Sequence, residues 1–171
     1  MPDPSTSTST PHQRLQLLSC HLAPPSPALS NMASRDPITC HVLDTTTGRP
    51  GAEIVVSLTP LSSPTSIFHG KTSLDGRITN WLSKPITNTP STLSVSEQIT
   101  SLIKSLAEEK EGGIVPKGSS LWKLQFATGE YYGVDKTFFP VVELTFLVRE
   151  GEHFHVPLLL GPYSFTTYRG S

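Results

Sequence analysis

The sequence predicts an all-β domain, a sandwich or barrel of about eight short strands. Three observations carry this. Short runs rich in Val, Ile, Leu, Phe and Thr recur between clusters of Gly, Pro, Asp and Ser. Within the runs apolar and polar residues alternate, as they do when every second side chain faces a core. Only one segment outside the N-terminal leader shows helical periodicity over several turns, so the strand–helix alternation of a parallel α/β sheet is missing.

In chain order, Ile38–Asp44 reads as the first strand, with Ile38, Cys40 and Val42 on the better core face and Thr39, His41 and Leu43 on the other. The loop formers Asp44-Thr-Thr-Thr-Gly-Arg-Pro-Gly51 close it. Glu53–Leu58 and Ser66–Leu74 follow as strands. Asp75-Gly76 is a hairpin signal, so Arg77–Trp81 is expected to return along the preceding strand. Leu121–Ala127, Val141–Val148, His153–Leu160 and Tyr163–Tyr168 complete the set. The exception is 96–111: Ser94 and Glu97 have the spacing of a capping box, and Ile99, Leu102, Ile103 and Leu106 recur at helical intervals. Residues 84–119 therefore read as one insertion between strands, which the slow growth of loop-closure entropy tolerates.

The 171 residues suffice for one domain, 38–171, behind a Ser/Thr/Pro-rich leader, 1–37, that has too little apolar surface to offset its ordering entropy. Within the leader, Arg14-Leu-Gln-Leu-Leu-Ser-Cys-His-Leu22 is similar to the N-terminal peroxisomal import signal, with Arg14, Leu15, His21 and Leu22 at its fixed positions. It implies an import receptor as a partner and a peroxisomal location, with the cytoplasm as the alternative. A net charge of −1 provides no basic field for nucleic acid or an anionic membrane surface, and no apolar run approaches the roughly 20 residues of a membrane span. Two cysteines, Cys20 and Cys40, do not make a disulfide framework and fit a reducing compartment.

Of six histidines, His41, His153 and His155 are the informative ones. His41 sits on the outward face of the first strand, where an ordinary surface role is the simplest reading. In Glu152-His-Phe-His-Val156, the two imidazoles share the face opposite Phe154 and Val156. They would need a third ligand to bind metal, and the sequence offers none at familiar spacing, so no metal site is assigned. Arg77, after the turn, is taken alone a solvated residue or a member of a site.

Three stretches together carry a resemblance: His41-Val-Leu-Asp-Thr45 with Gly48 and Pro50, Asp75-Gly-Arg77, and the run HFHVPLLLGPYSFTTYRGS over 153–171. They resemble the transthyretin-like 5-hydroxyisourate hydrolases over 38–82 and about 120–171, with the insertion and leader outside the match. The resemblance implies a sandwich of two four-stranded sheets with a short helix, and a homotetramer with sites in the channel between dimers. It implies hydrolysis of 5-hydroxyisourate, the urate oxidation product, to 2-oxo-4-hydroxy-4-carboxy-5-ureidoimidazoline, without a cofactor. It assigns His41, Arg77 and His155 to catalysis and Tyr168, Arg169, Gly170 and Ser171 to substrate binding, with His153 in a supporting place. It leaves open which of His41 and His155 is the base. Transthyretin itself shares the fold but not this His/Arg pattern or the final YRGS. A non-catalytic carrier of a small ligand is the alternative, and a sandwich module that binds a partner through the insertion is a third reading.

Overall fold

The computed structural model describes residues 35–83, 92–108 and 115–170. The leader motif Arg14, Leu15, His21 and Leu22, the edges of the insertion and Ser171 lie outside the described residues. Two sheets pack face to face. The first has the order β10-β9-β1-β2, with β5 also on β1: β1 is Ile38–Asp44, β2 Arg49–Pro50, β5 Arg77–Ile78, β9 Phe154–Leu160 and β10 Phe165–Thr167. The second has the order β6-β4-β3-β7-β8: β3 is Val55–Pro60, β4 Phe68–Lys71, β6 Leu82–Ser83, β7 Ser119–Phe126 and β8 Val142–Arg149. Each sheet thus has five strands rather than four. The additions are two-residue segments: β2 and β5 lie end to end along one edge of β1, and β6 extends β4.

β1 lies at the middle of its sheet, parallel to β9 over all seven of its residues. Its inward side chains Ile38, Cys40 and Val42 are fully buried, as are Trp122, Leu124 and Phe126 on the β7 side. The alternation expected from the sequence holds on both strands.

The Asp75-Gly76 turn forms and Ser73 N–H donates to Arg77 O across it at 3.0 Å, but Arg77–Trp81 does not run back along the preceding strand; β4 is rejoined only by Leu82–Ser83. Gly76 N–H donates to Ser73 O at 2.8 Å, yet β5 leaves β4 and pairs with β1 in the opposite sheet. Two anchors explain the crossing. Gly76 O accepts from Val42 N at 2.8 Å, so the turn is docked on β1, and the Trp81 indole N–H donates to Ile38 O at 2.7 Å. The second anchor ends on Asp36, whose carboxylate accepts from Trp81 N at 2.6 Å. Gly76 has φ +75°, and a Cβ there would stand 2.4 Å from Val42 O. Gly76→Ala is expected to cost at least about 1 kcal/mol, because neither the left-handed backbone nor the carbonyl can accommodate it. Denaturant midpoints check this.

The insertion contributes α1, Val95–Glu108. Its N-terminus is the expected reciprocal box: Ser94 N–H donates to Glu97 Oε2 at 2.7 Å, and Glu97 N–H to Ser94 Oγ at 3.3 Å. The helix packs on β7 and β8, and Ile99 and Ile103 join the main core. It is therefore part of the sandwich rather than a detachable arm. Ile99→Ala should lower unfolding free energy by roughly 2–5 kcal/mol, as for other buried aliphatic truncations.

A short helix, α2 (Thr128–Tyr132), follows β7. It fastens the end of β1, where Tyr131 O–H donates to Asp44 Oδ2 at 3.1 Å; on the loop side the Thr46 hydroxyl and N–H both donate to Asp44 Oδ1. Burial alone would raise the Asp44 carboxyl, but these hydrogen bonds outweigh it and hold it below the usual range. Among the described residues no helix is long and apolar enough to cross a membrane.

Candidate active site

The outward face of the first sheet gathers the polar residues that alternation exposes. His41 on β1 stands directly opposite Arg77 on β5, and opposed residues of an antiparallel pair share a face. On the other flank of β1, Thr39 is in register with His155 of β9. The rings of His41 and His155 lie 6.4 Å apart, centre to centre, tilted by 33°. Three adjacent strands thus bring His41, Arg77 and His155 together although 114 positions separate the two histidines (155 − 41).

Thr39 is 3% exposed, and its hydroxyl lies between two imidazoles, with the Phe154 carbonyl a longer contact at 3.5 Å. The hydroxyl is 2.9 Å from His155 Nδ1 and 3.2 Å from His153 Nε2. With Nδ1 engaged by Thr39, Nε2 is the ring nitrogen of His155 left for other partners. A small polar cavity of about 90 Å³ adjoins these groups, lined by Arg35, Thr39, Arg77, His153 and His155 among others.

Both site histidines are held below the ordinary imidazole range. For His41 the causes are burial and then the Arg77 guanidinium, opposed by Asp75, whose carboxylate attracts the ring's charge and whose backbone carbonyl accepts a hydrogen bond from it. For His155 burial again comes first, followed by the positive charge of Arg77 and by His41, His153 and Arg35. Each ring is therefore predominantly neutral at pH 7 and able to accept a proton. Arg77 keeps an Asp75 oxygen 3.7 Å from Nε, with its guanidinium partly exposed. Cys40, beneath this face, is no competitor as a nucleophile: burial pushes its thiol up to about 12. Among the described residues no group of three or more His, Cys, Asp or Glu side chains is gathered to hold a metal ion.

The C-terminal segment reaches the site through its backbone. Gly170 N–H donates to His155 O at 2.9 Å and forms a lone antiparallel bridge with it. Tyr168 and Arg169 border a larger groove of about 630 Å³ between β8 and the β9–β10 end, with His155 also on its wall. Tyr168 is exposed there. Arg169 points to Glu152, donating from Nη2 to Oε2 at 2.7 Å, and its guanidinium lies 5.1 Å from the Phe154 ring centre. The sequence-predicted residues thus fall into two groups that meet at His155: His41 and Arg77 on one side, Tyr168, Arg169 and Gly170 on the other. Sequence pattern alone assigns no site role to Thr39 or Arg35. The signal for Thr39 is its place on the same outward face as His41, two residues on; Arg35 falls in the Ser/Thr/Pro-rich stretch before the first strand.

A sandwich of two five-stranded sheets in this strand order has a transthyretin-like fold. Residues 38–170 match the HIUase/Transthyretin family, and the chain belongs to that family. It is 34% identical over 177 residues to the uric acid degradation bifunctional protein TTL of Arabidopsis thaliana, covering 98% of this chain and 47% of that protein. The chain therefore spans about half the length of this relative. It is 34% identical over 142 residues to the 5-hydroxyisourate hydrolase of Mus musculus, covering 79% of this chain and 95% of the relative. Transthyretin from Sparus aurata superposes with a TM-score of 0.54 at 22% identity, over 80% of this chain and 97% of the other, a likeness of fold.

Proposed function

We propose that this chain hydrolyses 5-hydroxyisourate in urate catabolism. The observation that supports this most is the convergence of His41, His155 and Arg77 on one face, with Thr39 holding His155 by Nδ1. Opening the ring requires water to add to a ring carbonyl. A base must take the water proton, a cationic donor must meet the oxyanion, and an acid must protonate the leaving nitrogen. His155 Nε2 takes the water proton and returns it to the leaving nitrogen, while His41 holds the ring on the other side. Arg77 offers planar donors to the developing oxyanion. Tyr168 and Arg169 border the groove and Gly170 fixes the His155 backbone, so these three contribute to substrate placement, with Ser171 beyond them.

The family resemblance supports a tetramer in which another subunit covers this face; the half-buried, outward Leu43 and Leu159 beside the site favour such a cover. The leader motif supports import into peroxisomes: residues 1–37 fused to a fluorescent protein should direct it there, and a change of His21 and Leu22 to Ala should leave it in the cytoplasm.

Product analysis tests the hydrolase reading against a carrier. Carbon-13 NMR of fresh 5-hydroxyisourate mixed with the protein should show a ring-opened carboxylate forming faster than in buffer. Ligand bound and unchanged would support the carrier. The rate should also lose activity on the acid side with a midpoint below the ordinary imidazole value of 6.5, because a base must be neutral and both site imidazoles are held low. A pH profile of kcat/KM checks the sign and position of that limb.

A further inference from the structure

We propose that Thr39 and His153 form a proton relay that connects His155 with solvent. The inference rests on the hydrolase reading with His155 as the base. One buried hydroxyl lies within hydrogen-bond distance of both rings, 2.9 Å from His155 Nδ1 and 3.2 Å from His153 Nε2. A hydroxyl donates one hydrogen bond and accepts two, so it can accept from one ring and donate to the other. His153 is the exposed end, and Thr39 is buried between the two.

The protons balance over one turnover. At the start His155 carries its proton on Nδ1 and donates to Thr39, which donates to His153 Nε2. As water adds to the carbonyl, Nε2 of His155 takes its proton. The Nδ1 proton moves to Thr39, the Thr39 proton moves to His153 Nε2, and His153 gives its Nδ1 proton to solvent. As the carbon–nitrogen bond breaks, His155 Nε2 protonates the leaving nitrogen, every transfer runs backwards, and His153 regains a proton from solvent. The new carboxylic acid then ionises to water. The relay keeps His155 neutral throughout, which matters because Arg77, His41, His153 and Arg35 all face it and disfavour an imidazolium. The outer ring adjoins a cavity carrying Arg35, Lys104, Glu150 and Glu152, where charges of both signs meet water.

The test compares the 171-residue chain with its variants Thr39→Val, Thr39→Ser and His153→Gln. Turnover is measured in mixtures of light and heavy water. The wild type and Thr39→Ser should show a bowed proton inventory. Thr39→Val and His153→Gln should each lower kcat about ten-fold with KM little changed, straighten the inventory, and give no further loss when combined. Wild-type kcat and a bowed inventory in His153→Gln would overturn the relay; since His153 is exposed, that variant speaks even if Thr39→Val does not fold. Nitrogen-15 NMR of the imidazoles separates this from failure of the hydrolase reading, because it needs no substrate. Wild type and Thr39→Ser should hold His155 in the Nδ1–H form and Thr39→Val should release it; identical tautomer populations would overturn the relay.

Discussion

His155→Ala is expected to lower kcat by roughly 10²–10⁴-fold, the usual worth of a positioned acid–base group. The fold should survive, because the ring lies on the outward face and the bond from Gly170 N–H goes to the His155 backbone carbonyl, which alanine retains. Arg77→Met should cost about 10²–10³-fold through the lost oxyanion donor. Arg77→Lys should recover little of it, since an ammonium lacks the planar donor pair. Steady-state kinetics beside a thermal unfolding curve distinguish these losses from instability: kcat falls while Tm stays within a few degrees. Near-wild-type turnover in both variants would remove His155 and Arg77 from the chemistry.

Gly170→Ala should be nearly as damaging to turnover while leaving the fold intact. An added Cβ would stand 2.6 Å from His155 Cδ2 and 3.2 Å from both His155 O and Pro157 Cγ. The carbonyl and the proline are fixed within β9, so the imidazole is the group that moves. It is also the group tied to Thr39 at 2.9 Å, and displacing it breaks that geometry. A misplacement of about 1 Å can cost about 10²-fold in rate, and that is the loss expected here. Because the segment is at the surface, the stability change should stay within about 1 kcal/mol. A variant with unaltered kcat would show that the ring position is not critical.

The strands and their faces were legible because alternation is local: Ile38, Cys40 and Val42 face inward, and His41 outward, as the pattern of β1 requires. The capping box at Ser94 and Glu97 was equally local and formed as read. The path after Asp75-Gly76 was not local. A turn signal states that the chain bends, not which strand it then joins; docking of Gly76 on Val42 and of Trp81 on Ile38 sent β5 to the other sheet. That crossing is what sets Arg77 opposite His41. The composition of 84–119 likewise did not reveal that its helix would supply Ile99 to the core. The convergence of His41 with His155 came from family resemblance, since no spacing rule links residues so distant in sequence. The Glu152–Arg169 pair has no sequence signature, because the two meet only once the chain has closed back on β9.

The most direct measurement follows the ultraviolet absorbance of freshly generated 5-hydroxyisourate at neutral pH with increasing amounts of the protein and of His155→Ala. Hydrolysis at this site predicts decay faster than in buffer, rising in proportion to wild-type protein and close to the buffer rate with the variant. Decay at the buffer rate at every wild-type concentration would contradict it.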